Sequence, residues 1–130
     1  MAKDIELKIY MPEKKVFDKK VFRAVLPYDN KTITVLKDRA PTLLSLDMGI
    51  IQILDEAYNT IEEWFIADGM ADIKNNTCTI LTESCFDKNE LSLEKAKELN
   101  ENFSNPFYKW LIEFYEKQEA LKKLQKTSKI

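Results

Sequence analysis

The spacing of apolar residues changes near residue 88, and this change restricts the folds open to the chain. Before that point, apolar and polar residues alternate in short segments, as Ile5, Leu7 and Ile9 do between charged neighbours. A period of two predicts half-buried strands. From residue 89 the apolar residues recur every three or four positions, which predicts amphipathic helices. The sequence therefore predicts a β domain over residues 1–88 and a helical hairpin over residues 89–130.

Short polar breaks divide the first 88 residues into about eight to ten candidate strands. These breaks include residues 11–15, 27–31 and 55–59. Such connections are too short for the crossovers that parallel strands need, so we expect an antiparallel β-sandwich or flattened barrel. In the second region Asn105 suits an N-cap and Pro106 suits the first position of a helix. We therefore expect one helix to end and another to begin at this point.

The composition removes most catalytic and cofactor-binding chemistry. The 130 residues include no histidine, two glycines and two cysteines. Imidazole catalysis, a glycine-rich phosphate loop and a four-thiolate zinc site are therefore excluded. We expect no catalysis by this chain alone, no cofactor and no metal, with Cys78 and Cys85 as small core or edge residues.

Charge and hydropathy exclude two further kinds of partner. The net charge of −2 provides no basic field for nucleic acid. No apolar run is long enough to insert into a membrane, and the charged N-terminus lacks the apolar core of a secretion signal. The chain is therefore expected to work through contacts with other proteins.

A series of short motifs follows in order along the β region. They are Val16-Phe17-Asp18, Val25-x-Pro27, Thr34-Val35-Leu36-x-x-Arg39-Ala40-Pro41, Leu46-x-x-Gly49, Phe65-Ile66-Ala67-Asp68-Gly69 and Thr79-Ile80-Leu81-Thr82-Glu83. With two helices after them, these motifs resemble the epsilon subunit of F-type ATP synthases, which is called delta in mitochondria. Arg39 stands where that family has a histidine, and Asp68 replaces the first glycine of a pair.

The resemblance implies a mechanical role. It implies a central-stalk rotor subunit that links the gamma shaft to the membrane c-ring and transmits torque, with a helical hairpin that regulates ATP hydrolysis. The implied location is peripheral, on the cytoplasmic side of a bacterial membrane or the matrix side of a mitochondrial one. Two other functions stay open: a rotor subunit diverted to another mechanical task, and a stand-alone sandwich adaptor.

The resemblance also suggests which residues face the partners. By this reading Asn30, Lys31, Thr32 and Arg39 lie at one end of the sandwich and face the c-ring. The family's motif loop corresponds to Val35, Leu36, Ala40 and Pro41. The alternative for Arg39 is a solvated arginine in a polar loop, since arginine is mostly exposed in proteins.

The helical region contributes a packing stripe and a basic end. Helical spacing predicts that six residues pack within the hairpin: Leu93, Leu99, Phe103, Phe107, Trp110 and Phe114. Lysines collect towards the C-terminal end: Lys117, Lys122, Lys123 and Lys126. These lysines either form a solvated helix end or contact acidic residues on the alpha and beta catalytic subunits, as the family's inhibitory helices do.

The hairpin is expected to be insensitive to ATP. Family members that sense ATP pair helix-borne arginines with its phosphates, whereas residues 87–130 contain no arginine. Lysine lacks the planar fork that holds a phosphate through two bonds. Calorimetric titration of the chain with ATP should therefore show no saturable binding. A dissociation constant well below about 1 mM, or about 4 kcal/mol of binding free energy, would contradict this expectation.

Overall fold

A computed structural model of the protein describes residues 5–127, with side chains as far as residue 124. The chain divides between Lys88 and Asn89 into two compact units, a β unit and a helical unit. None of the described helices is long and apolar enough to cross a membrane.

The β unit contains ten strands connected mostly by tight turns. They are β1 (Ile5–Met11), β2 (Lys14–Val21), β3 (Arg23–Tyr28), β4 (Lys31–Val35), β5 (Thr42–Leu46), β6 (Gly49–Leu54), β7 (Thr60–Ile66), β8 (Gly69–Lys74), β9 (Thr77–Leu81) and β10 (Cys85–Asp87). One five-stranded sheet has the order β2-β1-β9-β8-β5 and the other has the order β10-β7-β6-β3-β4. The predicted β-sandwich is confirmed.

One strand pair differs from the expected antiparallel arrangement. β1 runs parallel to β9, with Leu7 opposite Cys78 and Ile9 opposite Ile80, whereas the other strand pairs are antiparallel. The length of each single connection, on which the antiparallel prediction depends, applies only to strands that follow one another in the chain. β1 and β9 lie near opposite ends of the β region, so seven intervening strands form their crossover and no short loop has to span it.

Aliphatic side chains from both sheets form the core. Leu7 and Ile9 in β1, Ile51 in β6 and Ile80 in β9 are fully buried. The alternation in β1 places its odd-numbered residues inward and its even-numbered residues outward. Burying each such side chain contributes about 1.5–3 kcal/mol of transfer free energy.

Asparagine and aspartate take the turn positions where many hairpins use glycine. Asp29 and Asn30 join β3 to β4, and Asn75 and Asn76 join β8 to β9, all with φ between 51° and 60°. A two-residue hairpin loop of this kind requires positive φ at both positions, and asparagine and aspartate tolerate it better than most residues. A chain with two glycines can therefore still form tight hairpins.

The helical unit contains α1 (Leu93–Phe103) and α2 (Pro106–Thr127) after a 3-10 turn. The Ser92 hydroxyl accepts a hydrogen bond from the Lys95 N–H and caps α1. The Asn105 side chain accepts one from the Phe107 N–H at 2.8 Å, directly before the proline that begins α2. The two-helix hairpin is confirmed, and its helices meet where the sequence predicts.

The predicted packing residues of the hairpin differ in exposure. Phe107 is buried, and its ring stacks 6.2 Å from that of Trp110, which in turn lies 5.8 Å from that of Phe114. Leu93 and Leu99 are half-buried. The prediction is wrong for Phe103, which is 68 % exposed. Because α1 ends at this residue, no further turn of the same helix shields its ring.

Replacing Gly69 is expected to destabilise the β unit. A Cβ at this position would lie 2.5 Å from the carbonyl oxygen of Leu81 on the neighbouring strand, so the backbones of β8 and β9 would have to separate. We expect Gly69→Ala to lower the free energy of unfolding by about 1–3 kcal/mol, measured by denaturant unfolding. The exposed neighbour Asp68 is the control, and Asp68→Ala should change it by less than about 0.5 kcal/mol. Equal stability of the two variants would contradict the proposed clash.

Candidate functional site

The hairpin tip, residues 29–32, is a fixed polar projection at one end of the β unit. The Asn30 N–H donates to a carboxylate oxygen of Asp47 at 2.9 Å. The Asp47 N–H in turn donates to the Pro27 carbonyl at 3.1 Å. These bonds tie the tip to the β5–β6 turn. Asn30, Lys31 and Thr32 are exposed, so their side chains are accessible to another surface.

The arginine loop, residues 36–41, follows β4. Val35, the last residue of β4, is fully buried, whereas Leu36, the first residue of the loop, is 45 % exposed. Asp38 has a φ of 61°, and its N–H donates to the Asn76 side chain at 2.7 Å. This bond attaches the loop to the β8–β9 turn.

Arg39 is the half-buried residue of the arginine loop, between exposed Asp38 and exposed Ala40 and Pro41. Its Nε atom is buried and has no hydrogen-bond partner among the described residues. A buried donor without a partner has a desolvation cost of about 1–3 kcal/mol. The Nε atom of Arg23 is buried without a partner in the same way, so this feature does not distinguish Arg39 as a contact to another molecule.

The hairpin tip and the arginine loop lie at opposite ends of the sandwich. The tip is bonded to Asp47, which follows the Leu46–Gly69 pair at the beginning of β8. The arginine loop is bonded to Asn76, beyond the other end of β8. The prediction that Arg39 shares one end with Asn30, Lys31 and Thr32 is therefore wrong. β4 separates the two sites by about 13 Å, because each strand residue advances the chain about 3.3 Å.

A second arginine, Arg23, lies at the same end as the arginine loop and was not identified from the sequence. It begins β3, and the next residue, Ala24, pairs with Val35 at the end of β4. Its guanidinium group donates to the carbonyl oxygens of Asp55 and Glu56 at 2.9 and 3.0 Å. It also lies 3.8 Å from the ring centroid of Tyr58. Arg23 thus holds the β6–β7 loop from 32 positions away, which no local sequence signal reveals.

The Asp55 carboxylate organises the same loop from within. It accepts hydrogen bonds from the N–H groups of Ala57 and Asn59, both at 2.9 Å. The bond from Asn59 is the main cause that lowers the pKa of Asp55, and the charge of Arg23 adds to it. Tyr58 is 63 % exposed, with a φ of 67°. The loop therefore presents an aromatic ring in a conformation that its neighbours stabilise.

An open apolar groove of about 400 Å³ lies beside the β1–β2 turn. It is at the end of the sandwich that carries the hairpin tip, opposite to the end that carries the arginine loop. Its floor follows a cross-strand row in which Met70 pairs with Leu81 and Leu81 pairs with Tyr10. Met70 and Leu81 are 40 % and 56 % exposed. No local pattern in the sequence marks this groove, because the residues of its floor come from three strands.

The two adjacent carboxylates in β7 do not form an acid–base pair. Glu62 accepts a hydrogen bond from the Trp64 indole at 3.1 Å. Glu63 forms an ion pair with Lys88 at 2.9 Å. Adjacent strand residues point to opposite faces, as the sequence predicts for this pair. In the described part of the chain no three cysteine or acidic side chains converge as a metal site would require.

The lysines of α2 are exposed as far as the structure describes them. Lys117, Lys122 and Lys123 lie on the surface beside Leu121 and Leu124, which are 58 % and 65 % exposed. The side chain of Lys126 lies outside the described residues.

Known proteins similar to this chain share its β unit. The model of the ATP synthase delta/epsilon chain, beta-sandwich domain, matches residues 4–88. The ATP synthase epsilon chain of Gluconacetobacter diazotrophicus is 32 % identical over 93 residues. That alignment covers 72 % of this chain and 65 % of the bacterial one, so the chain spans slightly less than two thirds of this relative.

Two solved structures show the same fold. A chain of the Euglena gracilis mitochondrial ATP synthase, solved as OSCP, F1 and c-ring, has a TM-score of 0.64 at 19 % identity. The match covers 77 % of this chain and 63 % of that one. A chain from the central stalk and c-ring of the Tetrahymena thermophila mitochondrial ATP synthase has a TM-score of 0.59 at 16 % identity. This match covers 90 % of this chain and 97 % of that one, so it includes part of the helical unit.

The two thiols are expected to be unreactive in the folded protein. Burial raises the pKa of Cys78 and of Cys85 from 9.0 to about 12, with smaller effects from Asp72 and Asp87 respectively. At pH 8 a disulfide reagent should therefore detect no fast thiol in the native chain and two after denaturation, because the thiolate is the reactive form.

The same pKa shifts predict a loss of stability in alkali. The unfolded thiols ionise near pH 9, whereas the folded ones stay neutral up to about pH 12. The free energy of unfolding should therefore fall as pH rises through this interval. A Cys78→Ala, Cys85→Ala double variant is the control and should lose less stability there. Rapid labelling of the native chain at pH 8 would contradict the assigned burial.

Proposed function

Because the chain belongs to the ATP synthase delta/epsilon family through its β-sandwich domain, we propose that it is a non-catalytic rotor subunit of an F-type ATP synthase. In this role it links the gamma shaft to the membrane c-ring and transmits torque between them. The observation that carries the proposal is the family match over residues 4–88, which covers the whole described β unit.

The side-chain chemistry of the β unit supports a non-catalytic role. Its adjacent carboxylates, Glu62 and Glu63, are each occupied by a neighbour on opposite faces of β7. Its two thiols have pKa values of about 12, so neither is an activated nucleophile at neutral pH. What the unit offers instead is a rigid body with distinct surfaces at its two ends.

The hairpin tip is the surface that we assign to the c-ring. Asn30, Lys31 and Thr32 are exposed and polar, and the bonds through Asp47 hold the tip in place. A polar, preorganised projection suits a surface that must follow a rotating ring without large apolar burial. This assignment places the chain peripherally, on the side of the membrane that carries the catalytic head. That side is the cytoplasm in bacteria or the matrix in mitochondria.

The helical unit is the part that we assign to regulation of ATP hydrolysis. Lys117, Lys122 and Lys123 are exposed on α2, and five lysines against one glutamate occupy residues 117–130. Such a segment is attracted to acidic surfaces. The alpha and beta catalytic subunits are the partners that we propose for it.

Purification of the native assembly tests the proposal. A tagged copy of the chain should recover alpha, beta and gamma subunits together with the c-ring. Recovery of the catalytic head without any c-ring would identify a motor diverted to another task. Recovery as a monomer, or with unrelated proteins, would overturn the rotor assignment and favour an independent adaptor.

Charge reversal at the hairpin tip is expected to weaken coupling. Lys31→Glu should reduce proton-driven ATP synthesis relative to ATP hydrolysis in membrane vesicles. A residue at the rim of an interface contributes about 1 kcal/mol, which corresponds to about a fivefold effect. The control is Lys20→Glu, because Lys20 is an exposed lysine near the opposite end of the sandwich. If both variants couple like the unmodified chain, the tip does not face the ring.

A further inference from the structure

The two helices of the helical unit differ in length by a factor of two. α1 has 11 residues and α2 has 22. Helices shorter than about 12–15 residues are marginal in water on their own, because the first turn is costly to form. α1 is below this length, so it depends on contacts with the rest of the unit. α2 exceeds it.

α1 also gains little from packing. Ala96 is the only buried residue of α1, which the structure describes in full, whereas α2 buries Phe107 and Leu111. The free energy gained by burial scales with the apolar area removed from water, and alanine offers little of it. The rings of Phe107, Trp110 and Phe114 stack along α2 at the spacings that stabilise a helix from within. α2 therefore has internal support that α1 lacks.

Two features near the end of α1 oppose its folding. Ser104, its C-cap, has a φ of 31° and a ψ of 87°, in the left-handed region where the Cβ of any residue but glycine is strained. The Asn100 Oδ1 atom is buried without a hydrogen-bond partner among the described residues. Such an acceptor has lost its bonds to water without replacement. Both costs disappear when α1 unfolds, so they favour its unfolded state.

A side-chain hydrogen bond fastens α2 to the beginning of α1. The Tyr115 hydroxyl donates to the Leu91 carbonyl at 3.2 Å, directly before Ser92, the N-cap of α1. Burial raises the pKa of Tyr115, so the hydroxyl keeps its proton at neutral pH. Of residues 116–124, all but Gln118 are exposed. Tyr115 therefore lies where the packed part of α2 ends.

We propose that α1 is a conditional helix, which unfolds locally while α2 stays helical, and that the Tyr115–Leu91 bond controls how often this happens. Such order–disorder changes of one segment are a known form of switch. Unfolding turns a helix of about 16 Å into a segment that spans up to about 36 Å, so α2 and its exposed lysines gain about 20 Å of reach. The effect on ATP hydrolysis rests on the proposed function, whereas the local unfolding does not.

Hydrogen exchange of the free chain tests the local unfolding. The exchange rate of a hydrogen-bonded amide follows the population of the form in which that bond is open. The amides of residues 97–103 in α1 should exchange at least about tenfold faster than those of residues 110–115 in α2. The amides of β1 serve as an internal control for the fold of the sandwich. Equal exchange of the two helices would show that they open together and would overturn the inference.

Variants at two residues should shift the exchange of α1 in opposite directions. Tyr115→Phe removes the hydroxyl, keeps the ring and should speed the exchange about fivefold, the effect of one net hydrogen bond. Ser104→Gly removes the strained Cβ and should slow the exchange about threefold. Ser104→Ala keeps the Cβ, so this matched control should not slow it. The inference is wrong if Tyr115→Phe leaves the exchange unchanged, or if the alanine and glycine variants slow it equally.

ATP hydrolysis by the native complex separates this inference from the proposed function. Tyr115→Phe should lower hydrolysis by up to about fivefold, the factor by which the released form of α2 increases, and Ser104→Gly should raise it. Unchanged hydrolysis in both variants, with the exchange of α1 still shifted, would overturn the regulatory assignment and leave the conditional helix standing. Shifted hydrolysis with unchanged exchange of α1 would overturn the conditional helix alone.

Discussion

A shared layer of aliphatic side chains between two sheets is the interaction on which the β unit depends. Residues from both sheets contribute to this layer, and several of them, including Leu7, Ile51 and Ile80, are fully buried. The layer requires each strand to keep its register, because a shift of one residue would move the apolar set to the solvent side. The parallel pairing of β1 with β9 joins the beginning and the end of the unit into this arrangement.

Contacts between distant segments hold the turns that form the surfaces at the two ends of the β unit. The hairpin tip is attached to Asp47, and the arginine loop is attached to Asn76. Arg23 fixes the β6–β7 loop through two carbonyl groups and the ring of Tyr58. Each of these contacts joins segments far apart in sequence, so a rigid scaffold positions polar groups at both ends. Such rigidity suits the torque transmission that we propose for the chain, because a soft body would absorb the force.

Predictions from the sequence agree with the structure where the signal is local. The period of two in the first 88 residues and the helical period after them predicted both the type and the order of the elements. Asn105 and Pro106 marked the beginning of α2 because capping depends on immediate neighbours. Helical spacing alone places Phe103 in the hairpin packing, and its exposure shows that spacing does not reveal whether other residues cover the last residue of a helix.

The sequence by itself determined the kinds of elements, the division near residue 88 and the family to which the motifs point. These properties depend on residue order over a few positions, which is what a linear pattern records. Only the tertiary structure decided that β1 pairs with β9 and that Arg23 holds a loop 32 residues away. It also decided that Arg39 and the hairpin tip lie at different ends of the sandwich. The physical reason is that strand pairing and cross-sheet packing depend on contacts between distant segments. Local periodicity carries no information about which strand lies beside which.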